Sequence, residues 1–146
     1  MHEATSKFSG GCMCGAITFE AQGAPNWSGH CHCHSCRRNT GAAFATFVGW
    51  PVEAFSYVQG TPRVFNSSPG VKRSFCSDCG TPLTYESDRF PGEVHAYIST
   101  HDDPDAFLPE FHVFVSDAIS WLHVEDGLPR YAATTGDGPP VGDAPA

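Results

Sequence analysis

The chain has little positive charge and concentrates it nowhere. Of its 146 residues only eight are Lys or Arg, against sixteen Asp or Glu, for a formal net charge of −8. Arg37-Arg38 and Lys72-Arg73 are the adjacent basic pairs, and no longer basic run exists. Binders of nucleic acid or of anionic membranes present a basic face, so neither partner is expected. No apolar run reaches the length of a membrane-spanning helix. Residues 1–11 contain no apolar stretch of the kind that forms a secretory signal. There is no internal repeat and no cysteine outside three short clusters.

Those clusters are the strongest feature present. They are Cys12-Met13-Cys14, then Cys31-His32-Cys33-His34-Ser35-Cys36, then Cys76-Ser77-Asp78-Cys79. Seven is an odd number, and without a signal it suits a reducing cytoplasm better than a disulfide framework. C-x-C and C-x-x-C spacings are those of metal ligands, above all for zinc.

The rest of the composition fits a small domain of short strands. Fifteen Gly and twelve Pro supply turns, and eleven Phe, four Tyr and three Trp supply bulk suited to a pleated surface. Strands are expected at 16–20, 43–50, 55–58, 63–66, 71–75, 83–86, 93–99 and 111–115, divided by turn signals such as Gly60-Thr61-Pro62 and Ser67-Ser68-Pro69-Gly70. A single helical turn is expected at 37–41, ended by Gly41, and another at 103–107 with Pro104 near its start. Such frequent turns imply antiparallel sheets and a mainly β fold. Residues 1–131 are expected to form one zinc-binding β domain. Residues 132–146, rich in Gly and Pro and without large apolar side chains, are expected to be a flexible tail.

Ligand arithmetic divides the cysteines. Alternate residues of an extended segment face the same way, so Cys12 and Cys14 can share one ion. Cys76 and Cys79 can share it from a tight knuckle, with Gly80 giving conformational freedom. Those four thiolates make a closed site. Cys31, Cys33 and Cys36 remain as a triad whose fourth position is open or filled by water, substrate or one of His30, His32 and His34. Mixed sharing between clusters is also sterically possible, and so are two purely structural metals. Zinc held by three thiolates carries about −1 overall, which makes it a poor Lewis acid and a good partner for a substrate sulfur. The residues therefore favour thiol chemistry over metal-assisted hydrolysis.

Three segments carry a family resemblance: Gly10-Gly11-Cys12-Met13-Cys14-Gly15, Cys31-His32-Cys33-His34-Ser35-Cys36-Arg37-Arg38 with Thr40-Gly41, and Phe75-Cys76-Ser77-Asp78-Cys79-Gly80-Thr81. With residues 109–113, 121–122 and 127–129, they resemble the family of glutathione-dependent formaldehyde-activating enzymes (GFA) and centromere protein V over about residues 8–131. The resemblance implies an Mss4-like fold, antiparallel β-sheets built around two zinc ions. It implies structural zinc at Cys12, Cys14, Cys76 and Cys79 and catalytic zinc at Cys31, Cys33 and Cys36. It also implies a carbon–sulfur lyase of the S-(hydroxymethyl)glutathione synthase type, with a small-molecule thiol and a small aldehyde as substrates. Arg37, Arg38 or Arg73 is then a candidate to hold a substrate carboxylate, and His32 and His34 are candidates to move a proton. The chain has no basic extension like that of the chromatin-associated branch.

Two other classes fit the same cysteines: a zinc-stabilised binding or scaffold module without turnover, and a redox sensor using Cys31, Cys33 and Cys36. Phe44, Phe47, Trp50, Phe55 and Tyr57 are expected in the core, and His95 half-exposed on a strand. His112 and His123 have no evident partner. Asp102, Asp103 and Asp105 lack the ligand spacing of a calcium loop.

Overall fold

The structure is a computed structural model describing residues 6–142. It is mainly β, with antiparallel sheets, one short α-helix and several 3-10 turns. Cα packing divides the chain into two compact units. Unit 1 comprises Met1–Trp27 and Val48–Phe107, and unit 2 comprises Ser28–Phe47 and Leu108–Ala146. Residues 143–146 of the expected tail lie outside the described residues.

Unit 1 holds a three-stranded sheet in the order β1 (Lys7–Gly11), β2 (Thr18–Gln22), β5 (Phe55–Gln59). β2 alternates as a half-buried strand should: Phe19 and Ala21 point inward, while Thr18, Glu20 and Gln22 face outward. β1 pairs with it antiparallel and sets Gly10 opposite Phe19. A Cβ on Gly10 would collide with the Thr100 carbonyl oxygen and the Phe19 ring, so only glycine fits there. β1 was not expected from sequence, because Lys7-Phe8-Ser9-Gly10-Gly11 offers one large apolar residue.

Four further strands of unit 1 follow one another as antiparallel neighbours: β6 (Arg63–Ser68), β7 (Val71–Phe75), β8 (Pro82–Ser87) and β9 (Glu93–Tyr97). The expected strand at 93–99 ends earlier, at Tyr97, where the chain enters a 3-10 turn, Ile98–Thr100. The turn brings His101 back to accept the Trp50 indole N–H at 3.1 Å. His101 Nδ1 lies 3.0 Å from the Ile98 carbonyl, which keeps the ring proton on Nδ1 and the lone pair on Nε2. Trp50, fully buried, packs with Ala21, Val48, Ala96 and Phe107 into one core cluster. A second cluster joins Ile17, Phe19 and Leu83 to the buried Cys12 and Cys76, with Phe55 and Tyr57 partly buried against it.

The chain crosses between the units within β3 (Trp27–Cys31) and β4 (Ala45–Pro51). In unit 2, β3 lies between β4 and the two-residue strand β10 (His112–Val113), which pairs with it in parallel. A strand was expected over 111–115. It stops at Val113 because Phe114 adopts a left-handed conformation (φ 55°, ψ 38°) and a 3-10 turn, Val115–Asp117, follows. A bulky residue rarely holds that conformation. Here the amides after the strand are fastened to the chain's later return: Phe114 N–H donates to the Ala133 carbonyl and Val115 N–H to that of Tyr131.

Helix α1 (His34–Thr40) is two turns long rather than the one expected. It starts three residues early because the Cys33 sulfur accepts the Cys36 N–H at 3.2 Å, acting as an N-cap. Gly41 ends it in the left-handed conformation, as expected. Among the described residues, no helix is long and apolar enough to cross a membrane.

Two outcomes follow for unit 1. Gly10→Ala lowers stability by about 1–3 kcal/mol in urea unfolding, because neither backbone nor ring can retreat from a methyl group. His101 is held below the ordinary histidine value of 6.5, chiefly by burial. Its stabilising contribution is therefore complete above pH 6.5 and is lost as the pH falls through the lowered folded value. Unfolding measured across that range shows a steeper acid loss for the wild type than for His101→Gln. Parallel profiles would contradict the assignment.

Candidate metal centres

The first sulfur group assembles in unit 1 from two knuckles of similar construction. Cys12 N–H donates to the Ile17 carbonyl, and Cys76 N–H donates to the Thr81 carbonyl, each at 3.0 Å and each closing over five residues. Gly15 and Gly80 take positive φ (81° and 79°) to complete the turns. Cys12 and Cys14 thus come from a turn beyond β1, not from alternate positions of a strand as expected. The knuckles meet where Met13 N–H donates to Thr81 Oγ1 at 3.1 Å. Cys12 Sγ lies 3.6 Å from Cys14 Sγ, and Cys14 Sγ lies 3.8 Å from Cys76 Sγ. All four sulfurs, Cys79 included, lie within 4.8 Å of one another. A tetrahedron with metal–sulfur bonds near 2.3 Å has sulfurs about 3.8 Å apart, so the spacing fits a zinc-sized ion.

Crowding drives the thiols of Cys12, Cys14 and Cys79 apart electrostatically. Burial, helped by Cys79, would raise Cys12, but the Ile17 N–H and the Cys14 and Cys76 sulfurs outweigh it and hold it below the usual value. Cys79 falls to about 5 through the Thr81 hydroxyl and amide. Cys14 accepts an N–H from Ala16, yet the adjoining Cys12 sulfur, burial and the other thiols push it up to about 12. Some sulfurs therefore ionise at the expense of others, and a cation is what would let all four do so.

The second group stands in unit 2. Cys31 ends β3, Cys33 caps α1, and Cys36 lies buried in the first helical turn. Their sulfurs lie within 4.8 Å of one another. Cys31 is pushed far upward by its two sulfur neighbours and by burial. Three donors from one short segment leave a fourth position for another ligand, which again suits a zinc-sized ion.

The surrounding candidates separate sharply. Arg37 is spent on the fold: its Nε donates to the His32 carbonyl at 3.3 Å and its guanidinium to the Asp117 carbonyl at 3.0 Å. Arg38 is exposed. Arg73 is buried on β7 in unit 1, donating to Ser67 Oγ at 3.1 Å with its guanidinium 4.9 Å from the Tyr85 ring centre. It is therefore a packed residue. His34 is exposed at the start of α1, whereas His32 is 1 % exposed.

His32 begins a chain that sequence reasoning missed. Its Nε2 lies 2.8 Å from His112 Nδ1, and His112 Nε2 lies 2.7 Å from Asp126 Oδ2. His112 is fully buried. Burial, reinforced by His112, pushes His30 and His32 down to about 4. Asp126 is held below the usual carboxylate range: partial burial opposes this, but donation from Leu128 N–H and His112 prevails. The parallel pairing that sets His112 beside His30 joins positions 82 residues apart, and no local pattern announces it. His95 was expected half-exposed but is buried: it meets Glu93 Oε1 at 3.1 Å and the Trp27 ring edge-on at 4.6 Å. Phe44 is half-buried against the rings of His30 and His32.

A mainly β chain with two separate cysteine groups spaced for metal ions is thus the class defined by fold and site. The sequence model of the family described as glutathione-dependent formaldehyde-activating enzyme matches residues 7–117, and the chain belongs to that family. A protein of Halomonas elongata is 30% identical over 127 residues, covering 80% of each chain. A protein of Phaeosphaeria nodorum is 29% identical over 134 residues, covering 84% of this chain and 67% of the relative. Both carry the name "Putative glutathione-dependent formaldehyde-activating enzyme". A crystal structure of a Rhodobacter sphaeroides protein matches in fold, with a TM-score of 0.54 at 21% identity over 63% of this chain and 85% of that one.

The two sulfur groups are expected to respond differently to loss of one cysteine. Cys76→Ser, which opens a group embedded in a core cluster, lowers the stability of metal-loaded protein by several kcal/mol. Cys36→Ser, in a group outside both core clusters, leaves the circular dichroism spectrum and most of that stability intact. Thermal unfolding of both variants beside the wild type decides this, and equal losses would contradict it.

Proposed function

We propose that this protein adds a glutathione-like thiol to a small aldehyde such as formaldehyde, as a zinc-dependent carbon–sulfur lyase of the S-(hydroxymethyl)glutathione synthase type. The observation carrying this reading is the convergence of Cys31, Cys33 and Cys36 as a three-sulfur group apart from the four-sulfur one. Family membership and the names of the two relatives support the same chemistry. In this reading Cys12, Cys14, Cys76 and Cys79 hold a structural zinc, and Cys31, Cys33 and Cys36 hold a second. Zinc held by these three thiolates would supply a soft position that favours a substrate sulfur as thiolate.

The reaction joins the thiol sulfur to the aldehyde carbon. The carbonyl π pair moves to oxygen, which takes up a proton, and the thiol gives one up, so the overall change is neutral. The chain's own groups have separate tasks. The Cys36 amide donates to Cys33 Sγ and fixes its position, while Thr40 Oγ1, donating to the Cys36 carbonyl at 2.8 Å, braces the same helix. Arg37 fixes the Cys31–Cys36 segment through the His32 carbonyl, which leaves the exposed Arg38 as the arginine for a substrate carboxylate. His34, exposed beside Cys33, is the side chain placed to exchange protons with solvent, because His32 is engaged with His112.

Exchange-detected NMR of glutathione with 13C-formaldehyde tests this. Catalytic amounts of zinc-loaded wild type accelerate adduct formation. Cys36→Ser loses on the order of 100-fold of that acceleration while retaining the structural zinc. Arg38→Ala raises KM with a smaller effect on kcat. Absence of any acceleration by protein holding two zinc ions would overturn the reading in favour of a binding module.

A further inference from the structure

Metal-binding side chains in unit 2 are not confined to cysteine. One ring nitrogen each of His30 and His112 and a carboxylate oxygen of Asp126 lie within 4.8 Å of one another. The backbone builds this meeting. His30 and His112 are register partners in the parallel pair β3–β10, so their side chains leave one face as neighbours. Their rings stack with centroids 4.6 Å apart and planes inclined by 29°. Asp126 arrives from the later loop. Its Oδ1 accepts the Leu128 N–H at 3.0 Å, which turns Oδ2 toward His112 Nε2.

The outer edges of both rings are already held. Thr46 Oγ1 lies 2.7 Å from His30 Nδ1, and His32 Nε2 lies 2.8 Å from His112 Nδ1. Ligating histidines have this outer arrangement: Nδ1–H donates to a fixed acceptor, and the Nε2 lone pair turns to the ion. For His112 this requires its proton to leave Nε2, where it is donated to Asp126 Oδ2 until an ion displaces it, for Nδ1. His32 can accept it there through Nε2 when its own proton sits on Nδ1, the atom that has no partner in its fully buried side chain.

We propose that His30, His112 and Asp126 form a third metal site, for a divalent first-row transition ion of the zinc class, separate from both sulfur groups. Two imidazole nitrogens and one carboxylate oxygen are borderline donors, unlike the soft thiolates, and three protein ligands leave room for water. An ion there clamps β10 and the Asp126 loop onto β3, one residue before Cys31. The site does not rest on the catalytic reading, since its donors include no sulfur.

Cobalt(II) tests it by its spectrum. Zinc-loaded protein is dialysed and titrated with Co2+. The expected result is one further equivalent bound, giving ligand-field bands without sulfur-to-cobalt charge transfer. In Asp126→Asn that equivalent binds at least about 10-fold more weakly, while both zinc ions remain. The proposal is overturned if no further equivalent binds to the wild type. It is equally overturned if the bound cobalt shows only sulfur charge transfer, which would mark entry into the cysteine groups. A third equivalent unaffected by Asp126→Asn overturns it too, since binding would then lie elsewhere.

Discussion

Crowded sulfur is the constraint on which the structure depends. In unit 1, sulfurs approach to 3.6 and 3.8 Å, and full ionisation at such distances requires a cation among them. The two knuckles exist to impose that approach, through matched backbone closures at Cys12 and Cys76 and positive-φ glycines after each. Cys12 and Cys76 are also members of the core cluster built on Phe19 and Leu83. Any ion held there would join the start of the chain to its middle at a point already packed by apolar side chains, so binding free energy becomes folding free energy.

Unit 2 uses sulfur differently. Its three cysteines come from a strand end, a helix cap and a first helical turn, all within six residues. None of the three belongs to either core cluster, although Cys36 is buried. What braces this segment is polar: Arg37 on two carbonyls, the Cys36 amide on Cys33, and the parallel strand carrying His112. A sulfur group set in a core would suit a permanent tie, and one set on a hydrogen-bonded strand-to-helix turn would suit exchange of a ligand. The left-handed Phe114 belongs to the same economy, since it turns the chain after β10 so that residues 129–133 can return alongside.

Much of this was legible in the sequence because cysteine spacing and turn residues act locally. β7 appears over the expected residues, and Pro104 opens the expected turn. Gly41 closes the helix where it should, though Cys33 as a sulfur N-cap lengthens it, a role that preference tables reserve for oxygen side chains. β1 and β3 escaped notice because their glycines make room for other groups: Gly10 for Phe19 and the Thr100 carbonyl, Gly29 for the Phe111 ring. The histidines were the least legible. His95 and His112 are buried by strand pairing and aromatic contacts across long stretches of chain, and His112 acquires Asp126 through a loop turn.

The central claim is that two sulfur groups hold zinc and that only the three-sulfur group opens to a substrate thiol. X-ray absorption at the zinc edge, on protein carrying both ions with and without glutathione, tests it most directly. The account predicts a mean sulfur coordination that rises from about three and a half to about four per zinc when glutathione is added. A mean that does not change on adding the thiol would contradict it.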